Sequence, residues 1–350
     1  MIKKENIEVI DLFCGVGGLS KGLMNEGLLI KTGLDADPAC RYPFEKNIKA
    51  NFINDKIENI PSKKLKKSYS KKSIKVLAGC APCQTFSTYN QKAKRTDERW
   101  KLLNEFGRLV EELNPDIITM ENVPGLIKTK VYFDFIKLLK RNNYFVSDAN
   151  IVDCSEYGIP QKRKRLVLLA SKYGPINLLP PNKFKGGKKT VREAIGNLNP
   201  IKHGEQDNTD KLHISAPLDE INYKRIKIST PNGTWREWPN ELRANCHKRK
   251  SGKTFPSVYG RMSWDEPSPT ITTQFFGFGN GRFGHPQQHR AISLREGAIL
   301  QSFPRRYKFL PPNSEIQKTI LGRLIGNAVP VRLGMVIGRT IKEHLAGDKV

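Results

Sequence analysis

The sequence predicts an α/β fold in which a mostly parallel sheet carries helices on both faces, with a smaller, loop-rich region inserted before the chain returns to the sheet. Short apolar runs of strand length alternate with helical patterns through the first half of the chain, which is typical of parallel sheets built from strand–helix–strand units. After about residue 175, Pro, Gly, Asn, Lys and Arg become frequent and long helical periods fade. An ordered pattern returns near Arg290 and ends in a C-terminal helix.

The elements of the first half are predicted from apolar runs and from apolar residues at three- and four-residue spacing. Predicted strands cover residues 7–10, 29–34, 76–78, 117–120 and 165–169, and predicted helices cover residues 19–26, 102–113 and 132–140. Asn114 and Pro115 end the second helix, because proline cannot donate the backbone hydrogen bond that continues a helix. The lysine-rich residues 62–75 are predicted to be an exposed loop, with phosphate contact as the functional alternative.

Charge is the most pronounced feature of the composition. The 350 residues include 60 Lys and Arg against 34 Asp and Glu, which leaves a formal net charge of +26. Such an excess indicates a polyanionic partner, above all nucleic acid, although a solvated lysine-rich surface would have the same composition. The longest apolar runs look no longer than a strand, so no membrane span is predicted. The N-terminus lacks the apolar core of a signal peptide, and we expect a cytoplasmic protein.

Six cysteines are spread along the chain, and we expect them to be reduced because no secretory signal precedes them. Cys80 and Cys83 form a C-x-x-C pair. A zinc site would need a second close pair of ligands, which the sequence lacks, so no metal is expected. A thioredoxin-like redox pair is the remaining alternative for these two cysteines.

Glycines follow the first predicted strand in the segment DLFCGVGGLS, residues 11–20. Gly15, Gly17 and Gly18 allow the backbone to turn sharply and to approach a ligand closely. Asp35 ends the next strand, where a carboxylate can bind ribose hydroxyls. Ser20 replaces the last glycine of the dinucleotide fingerprint, so the pattern indicates only a nucleoside cofactor. NAD, FAD and S-adenosylmethionine all fit, and a tight turn without a ligand is the plain alternative.

Three further motifs carry groups that could do chemistry. Cys83 in GCAPCQTFS lies on a predicted loop at the carboxyl edge of the sheet, where a nucleophile needs to be, although an isolated cysteine is more often inert. Glu121 in MENVPGL ends a buried strand, where a carboxyl group could hold a proton or simply cap the backbone. Arg163 and Arg165 in YGIPQKRKRL alternate along a strand and could face a carbonyl or phosphate, or belong to a basic surface.

Taken in this order, the motifs resemble those of the cytosine-C5 DNA methyltransferase family. DLFCGVGGLS resembles its first cofactor motif, APCQTFS its Pro-Cys-Gln motif, ENV the next motif and QKRKR its paired-arginine motif. REGAILQSFP and GNAVP, residues 295–304 and 326–330, resemble its last two motifs, and RMSWDEPSPTITT, residues 261–273, the end of its recognition domain. The resemblance implies a Rossmann-like class I methyltransferase fold. It also implies a catalytic and cofactor-binding domain at residues 1–190, a target-recognition domain at 191–290, and a hinge and return at 291–350.

The resemblance implies a role for each catalytic candidate. Cys83 would add to C6 of a flipped-out cytosine, and Glu121 would hold the ring nitrogen N3 and the exocyclic amine. Arg163 and Arg165 would lie near the base carbonyl and the thiol, with Arg163 at the carbonyl oxygen. The remaining residues of the Pro-Cys-Gln motif that are assigned to the catalytic set are Gln84 and Ser87.

S-adenosyl-L-methionine is the methyl donor that the resemblance implies. Asp35 would bind its ribose and Asp55 its adenine amine. Ala36 is smaller than the family residue that packs on adenine, and Lys56 replaces an apolar residue, so Ile57 is the substitute for stacking. The complete set assigned to this site is Phe13, Gly15, Val16, Gly17, Gly18, Asp35, Ala36, Asp55, Ile57, Pro82, Leu102, Asn327 and Ala328.

Double-stranded DNA is the expected partner, a cognate restriction endonuclease would act independently, and the chain is expected to be a monomer. Candidates for DNA contact in the inserted domain are Arg236, Arg243, Arg249 and Arg282, which could also be solvated surface residues. The alternatives are an RNA cytosine-C5 methyltransferase, a DNA-binding protein without activity, and a thiol oxidoreductase. The long inserted domain favours DNA, as does the lack of the Cys-Phe-Thr motif of the tRNA-modifying branch.

Overall fold

A single sheet of eight strands organises the part of the chain that the structure describes. The structure is a computed structural model, and it describes residues 6–82, 101–249 and 254–347. The strands are Ile7–Leu12 (β1), Leu29–Asp35 (β2), Asn51–Asn54 (β3), Ile74–Gly79 (β4), Ile117–Asn122 (β5), Phe145–Val146 (β6), Asn150–Asp153 (β7) and Lys164–Ser171 (β8). Their order is β3-β2-β1-β4-β5-β8-β6, and β7 also pairs with β8.

The first five strands are parallel, and β8 runs antiparallel to β5, β6 and β7. The sheet is therefore mostly parallel, as predicted. Its helices are Gly18–Asn25 (α1), Arg41–Ile48 (α2), Ser62–Lys66 (α3), Lys101–Leu113 (α4), Lys130–Arg141 (α5), Val191–Ile195 (α6), Glu220–Ile228 (α7), Asn245–Lys248 (α8), Leu294–Leu300 (α9), Lys318–Asn327 (α10) and Val331–Ala346 (α11). As predicted, α4 ends just before Asn114, which has a φ of 50°.

Helices cover both faces of the sheet. Successive side chains of a strand point to opposite faces, and in β1 Val9 packs with α1 and α11 while Ile10 packs with α4 and α5. Both residues are fully buried. Because the two faces are covered, the carboxyl edge of the sheet is where polar groups of the parallel strands can meet a ligand.

The segment that follows β8 is built mainly of loops and short helices. It has a small apolar cluster of its own, formed around Ile226, Trp235, Trp238 and Phe278. Helix α6, however, shares a core with α9. The predicted boundaries at residues 190 and 290 stay a prediction.

One sequence expectation is corrected by the fold. Residues 62–75 are not an exposed loop: they contain α3 and the start of β4, and Leu65 is fully buried while Tyr69 is 8% exposed. Lysines occupy the solvent side of this segment and conceal its apolar side. The pattern also failed to predict α2 and β3.

The C-terminal helices bear on the expectation that the chain has no membrane span. The stretch Lys318–Ala346 is long and apolar enough, by composition alone, to cross a membrane. In the structure it forms α10 and α11, and 72% of its most apolar window is buried inside the protein. Helix α11 packs against the sheet and α10 packs with α9, and this burial accounts for the apolar composition.

Candidate functional site

A turn rich in glycine, residues 13–18, joins β1 to α1 at the carboxyl edge of the sheet. Gly15 and Gly17 have φ angles of 52° and 85°, in the region that favours glycine. A Cβ atom on Gly18 would lie 2.1 Å from the backbone oxygen of Val329. The absence of a side chain at Gly18 therefore allows the link between α10 and α11 to approach the turn.

Asp35 closes this turn from the end of β2. Its Oδ2 accepts a hydrogen bond from the backbone N–H of Gly15 at 2.8 Å, and its Oδ1 accepts one from that of Asp37 at 2.9 Å. Burial raises the pKa of the Asp35 carboxyl, and these two backbone bonds partly oppose the rise. A carboxylate can accept about four hydrogen bonds, so Asp35 retains acceptor capacity for a ligand hydroxyl beside the turn.

Asp11 is a second carboxyl group behind the turn, and the sequence analysis did not single it out. It is 1% exposed, and its Oδ2 accepts a hydrogen bond from the Ser20 hydroxyl at 2.5 Å. Its Oδ1 is buried without a hydrogen-bond partner among the described residues. Burial raises the pKa of Asp11 to about 7. Asp11 therefore has unused hydrogen-bonding capacity in the interior behind the turn.

The residues assigned to adenine lie beside Asp35. The backbone N–H of Asp55 donates to the backbone oxygen of Asp35 at 3.2 Å, and the Asn59 amide holds Asp55 Oδ1 at 2.9 Å and lowers the pKa of that carboxyl. Ala36 is exposed. Ile57 is only 3% exposed and packs in the core of the sheet, so its side chain offers little free surface for stacking.

The other residues assigned to the cofactor site surround the same edge. Phe13 and Leu102 are partly buried against the core next to α4, and Pro82 is half-buried just after β4. Asn327 is exposed at the end of α10. Val16 and Ala328 are buried, at 1% and 9% exposure.

A buried ion pair lies at the ends of β5 and β8. Glu121 is 2% exposed, and its Oε1 is 2.8 Å from Arg165 Nε. The Cys80 thiol donates to the other carboxylate oxygen of Glu121 at 2.8 Å. The next residue of β5, Asn122, donates its amide to the backbone oxygen of Ala81 at 2.9 Å. These contacts fasten the end of β4 to a carboxylate–guanidinium pair at the edge of the sheet.

Arg163 occupies a different environment from Arg165. It is 4% exposed and donates to the backbone oxygens of Ile271 at 3.1 Å and Gly326 at 3.4 Å. Burial, followed by the nearby charge of Arg165, lowers the pKa of Arg163 to about 9. Its Nε is buried without a partner among the described residues. The two arginines thus separate into one that holds backbone carbonyls and one that pairs with Glu121.

Two buried glutamines, which the sequence analysis missed, complete this arrangement. Gln161 accepts hydrogen bonds from the Ile271 N–H at 2.8 Å and from Arg163 at 3.4 Å, and donates to Gln301 at 2.9 Å. Gln301 in turn donates to three backbone oxygens at the end of α10, those of Ile325, Gly326 and Ala328. The sequence could have pointed to these glutamines only through their positions in the QKRKR and LQSFP motifs, because their hydrogen-bond partners are distant in sequence.

Three of the catalytic candidates cannot be placed. Cys83, Gln84 and Ser87 lie outside the described residues, which end at Pro82 on this side of the gap.

The four DNA-contact candidates divide into two pairs. Arg243 donates to the backbone oxygens of Trp238 and Arg236, at 2.9 and 2.5 Å, and Arg282 donates to that of Gly233 at 2.7 Å. These guanidinium groups therefore brace loops of the inserted region. Arg236 and Arg249 have exposed side chains, and Arg236 also lies 5.7 Å from the centre of the Trp235 ring.

Comparison with known proteins agrees with this geometry. The family model described as "C-5 cytosine-specific DNA methylase" matches residues 7–343. The chain is 50% identical over 342 residues to the Type II methylase M.HgiDII of Herpetosiphon aurantiacus, covering 97% of this chain and 96% of that protein. It is 31% identical over 354 residues to the Type II methyltransferase M1.BsuMI of Bacillus subtilis (strain 168), covering 95% and 80%.

Solved structures share the fold. A prophage-encoded protein of Escherichia coli superimposes with a TM-score of 0.75 at 22% identity, covering 97% of this chain and 100% of that one. DNMT2 of Spodoptera frugiperda superimposes with a TM-score of 0.63 at 19% identity, covering 97% and 100%. The predicted class I methyltransferase architecture is confirmed by these similarities.

Proposed function

This chain belongs to the C-5 cytosine-specific DNA methylase family, and from that membership we propose that it transfers the methyl group of S-adenosyl-L-methionine to C5 of a flipped-out cytosine within a specific double-stranded DNA sequence. It is a DNA (cytosine-5-)-methyltransferase of the type II modification class.

The observation that carries the proposal is the buried Glu121–Arg165 pair beside Cys80, two residues before Pro82 at the start of the Pro-Cys-Gln motif. A carboxyl group and a guanidinium held together at a ligand-binding edge can recognise a base that presents a ring nitrogen, an amine and a carbonyl. Cytosine presents these groups on one edge, and they become accessible once the base leaves the stack.

Cytosine C5 is a weak nucleophile, so the chemistry needs covalent activation. Addition of the Cys83 thiolate to C6 would give C5 the nucleophilic character of an enamine. Glu121 would hold a proton at N3 while negative charge enters the ring, and Arg165 would stabilise the charge on the O2 carbonyl. After methylation of C5, loss of the C5 proton to a base and elimination of Cys83 would restore the ring.

The ion pair with Glu121 supports Arg165, rather than Arg163, as the residue at the base carbonyl. Arg163 directs two of its nitrogens to backbone oxygens, which supports a role in holding the start of β8 to Ile271 of the inserted region and to the end of α10. Gln84 and Ser87 remain assigned to the site through their motif alone.

The glycine turn fits a nucleoside methyl donor. Asp35 would bind ribose hydroxyls and Asp55 the adenine amine. Gly15, where an added Cβ would meet nothing within 4 Å, would admit the ligand to the backbone, while Gly17 and Gly18 face protein atoms and belong to the proposed site through their motif. S-adenosyl-L-methionine supplies an electrophilic methyl group on a sulfonium, so that no metal is needed. The other residues of this proposed site are Phe13, Val16, Ala36, Ile57, Pro82, Leu102, Asn327 and Ala328.

The setting we propose is bacterial and cytoplasmic, with the chain acting as a monomer on DNA. Relatives are named as type II methylases, which supports a role in protecting DNA from a cognate restriction endonuclease that acts independently. An orphan methylase would do the same chemistry without that partner.

Covalent trapping tests the mechanism. The wild type, incubated with S-adenosyl-L-methionine and duplex DNA carrying 5-fluorocytosine at its target, should form a complex that survives denaturing electrophoresis, because fluorine cannot leave as the C5 proton does. Cys83→Ser should form none and lose methylation by several orders of magnitude, yet still bind DNA. Cys246→Ser makes the same change at an exposed cysteine and should be trapped like the wild type.

Two outcomes would reject the proposal. One is a Cys83→Ser protein with turnover close to that of the wild type; the other is incorporation of labelled methyl into tRNA but not into DNA. Bisulfite sequencing of DNA from expressing cells would then report the modified cytosines and their sequence context together.

A further inference from the structure

We propose that Tyr307 is a positioning residue for the glycine turn: its hydroxyl, held in place by the C-terminal segment, fixes the Val16 carbonyl and with it the backbone shape on which binding of the methyl donor depends. This inference rests on the proposed function, because it requires that the glycine turn binds that ligand.

The contact joins two distant parts of the chain. Tyr307 donates its hydroxyl to the backbone oxygen of Val16 at 2.5 Å, across 291 positions of sequence. Both residues are almost fully buried, at 2% and 1% exposure. A Cβ atom on Gly17 would lie 3.2 Å from the same hydroxyl. The phenol group is therefore placed directly against the turn.

The turn has a strained shape that needs external support. The strain lies at Phe13, a non-glycine residue with a φ of 57°, whereas Gly15 and Gly17 adopt their positive φ angles without steric cost. Such backbone persists where surrounding contacts determine it. Inside the turn the Gly17 N–H donates to the Cys14 backbone oxygen at 2.9 Å. The Val16 carbonyl, which belongs to the same peptide bond as that N–H, accepts the Tyr307 hydroxyl.

Tyr307 cannot easily follow the turn if the turn relaxes. Its ring packs on Phe303 and Phe309, with centroid distances of 4.7 and 5.1 Å. The next residue, Lys308, makes a two-way bond with Asn47 of α2: the Asn47 amide donates to its oxygen at 2.8 Å and its N–H donates to Asn47 Oδ1 at 3.0 Å. Tyr307 is thus held in place both by the contacts of its ring and by the backbone of the next residue.

The anchor extends into the inserted region. Arg295 donates to the Tyr307 backbone oxygen at 3.3 Å and forms a two-point ion pair with Asp210, at 2.5 and 3.0 Å. Arg295 is 7% exposed. Asp210, which lies within the predicted target-recognition domain, is therefore connected through Arg295 and Tyr307 to the turn.

Tyr144 provides a matched control. It is also a buried tyrosine, 4% exposed, and it donates its hydroxyl to the backbone oxygen of Pro115 at 2.5 Å. That acceptor lies at the opposite end of β5 from Glu121. Tyr307→Phe and Tyr144→Phe thus remove the same kind of hydrogen bond, one at the turn and one away from it.

The test compares the two variants with the wild type as full-length protein. Titration calorimetry with S-adenosylhomocysteine should show a dissociation constant at least tenfold higher for Tyr307→Phe and within twofold of the wild type for Tyr144→Phe. Hydrogen exchange of the ligand-free protein should show faster exchange in a peptide covering residues 13–19 for Tyr307→Phe only. In kinetics, the KM for S-adenosyl-L-methionine should rise while kcat changes less than threefold.

The proposal is overturned if Tyr307→Phe binds S-adenosylhomocysteine within twofold of the wild type, or if Tyr144→Phe weakens binding as much as Tyr307→Phe does. A wild type that binds S-adenosylhomocysteine but does not methylate DNA would reject the proposed function and leave this comparison valid. A wild type that does not bind S-adenosylhomocysteine at all would overturn both.

Discussion

The side-chain amide of Gln161 donates to Gln301 Oε1 at 2.9 Å, although 140 positions separate the two residues. Both are fully buried. Through this bond the residues just before β8 are joined to the helix that follows the inserted region. Because Gln301 also donates to three backbone oxygens at the end of α10, one side chain connects three parts of the chain.

Replacement of Gln301 by Leu should therefore be strongly destabilising. The change keeps a similar size but leaves Gln161 and several buried carbonyls without their partner, and an unpaired buried polar group costs about 1–3 kcal/mol. We expect the free energy of unfolding in urea to fall by about 3 kcal/mol. A loss below about 0.5 kcal/mol would mean that relaxation or water satisfies these groups.

The two arginines of the QKRKR motif should respond differently to substitution by lysine. Arg165→Lys removes the guanidinium whose Nε lies beside Glu121, and we expect kcat to fall on the order of 10²–10³ with stability nearly unchanged. Arg163→Lys removes donors to Ile271 and Gly326, and we expect mainly a lower melting temperature. Single-turnover methylation and thermal unfolding measure the two effects. If instead Arg163→Lys lost turnover and Arg165→Lys lost only thermal stability, Arg163 would be the residue at the base carbonyl.

Asp11 should make stability depend on pH. Its pKa in the folded protein is about 7, above its usual value of 3.8, so the folded state binds the proton more tightly than the unfolded state does. Stability from this group is present below pH 4 and is lost as the pH rises to about 7, by an amount on the order of 4 kcal/mol.

Asp11→Asn removes this titration. The stability of the variant relative to the wild type should therefore increase as the pH rises from 4 to 8, as measured by urea unfolding at several pH values. Asp265→Asn changes an exposed carboxylate whose pKa is lowered by Arg192 and should show no such increase. If the difference in stability between Asp11→Asn and the wild type did not change with pH, the raised pKa of Asp11 would be contradicted.

DNA affinity should fall steeply with salt because of the excess positive charge. If six or more phosphates are contacted, the affinity should drop by a factor of about 10³ or more between 50 and 200 mM salt.

Arg249→Ala should lower the affinity and the salt dependence, with little change in melting temperature, since the side chain is exposed. Arg243→Ala should lower the melting temperature, because it leaves two carbonyls unbonded. A DNA affinity that does not change with salt concentration would contradict the inference of DNA binding from the net positive charge.

The local pattern was sufficient for much of the fold and of the site. Strand length, helical spacing and glycine positions predicted β1, the glycine turn, α1 and β2 in sequence, and they placed Asp35 and Glu121 at the ends of their strands. These features depend on neighbouring residues and on the backbone itself, so a linear sequence contains the information. The same pattern missed α2, β3 and α3, where lysines and short elements obscure the apolar spacing.

The roles of individual polar side chains were decided by tertiary structure. Sequence alone could not show that Arg165 rather than Arg163 pairs with Glu121, that Gln161 reaches Gln301, or that Tyr307 supports Val16. In each case the partner belongs to a strand or segment that only folding brings near. A buried donor must find an acceptor wherever packing has placed one, and that location is set by the whole chain.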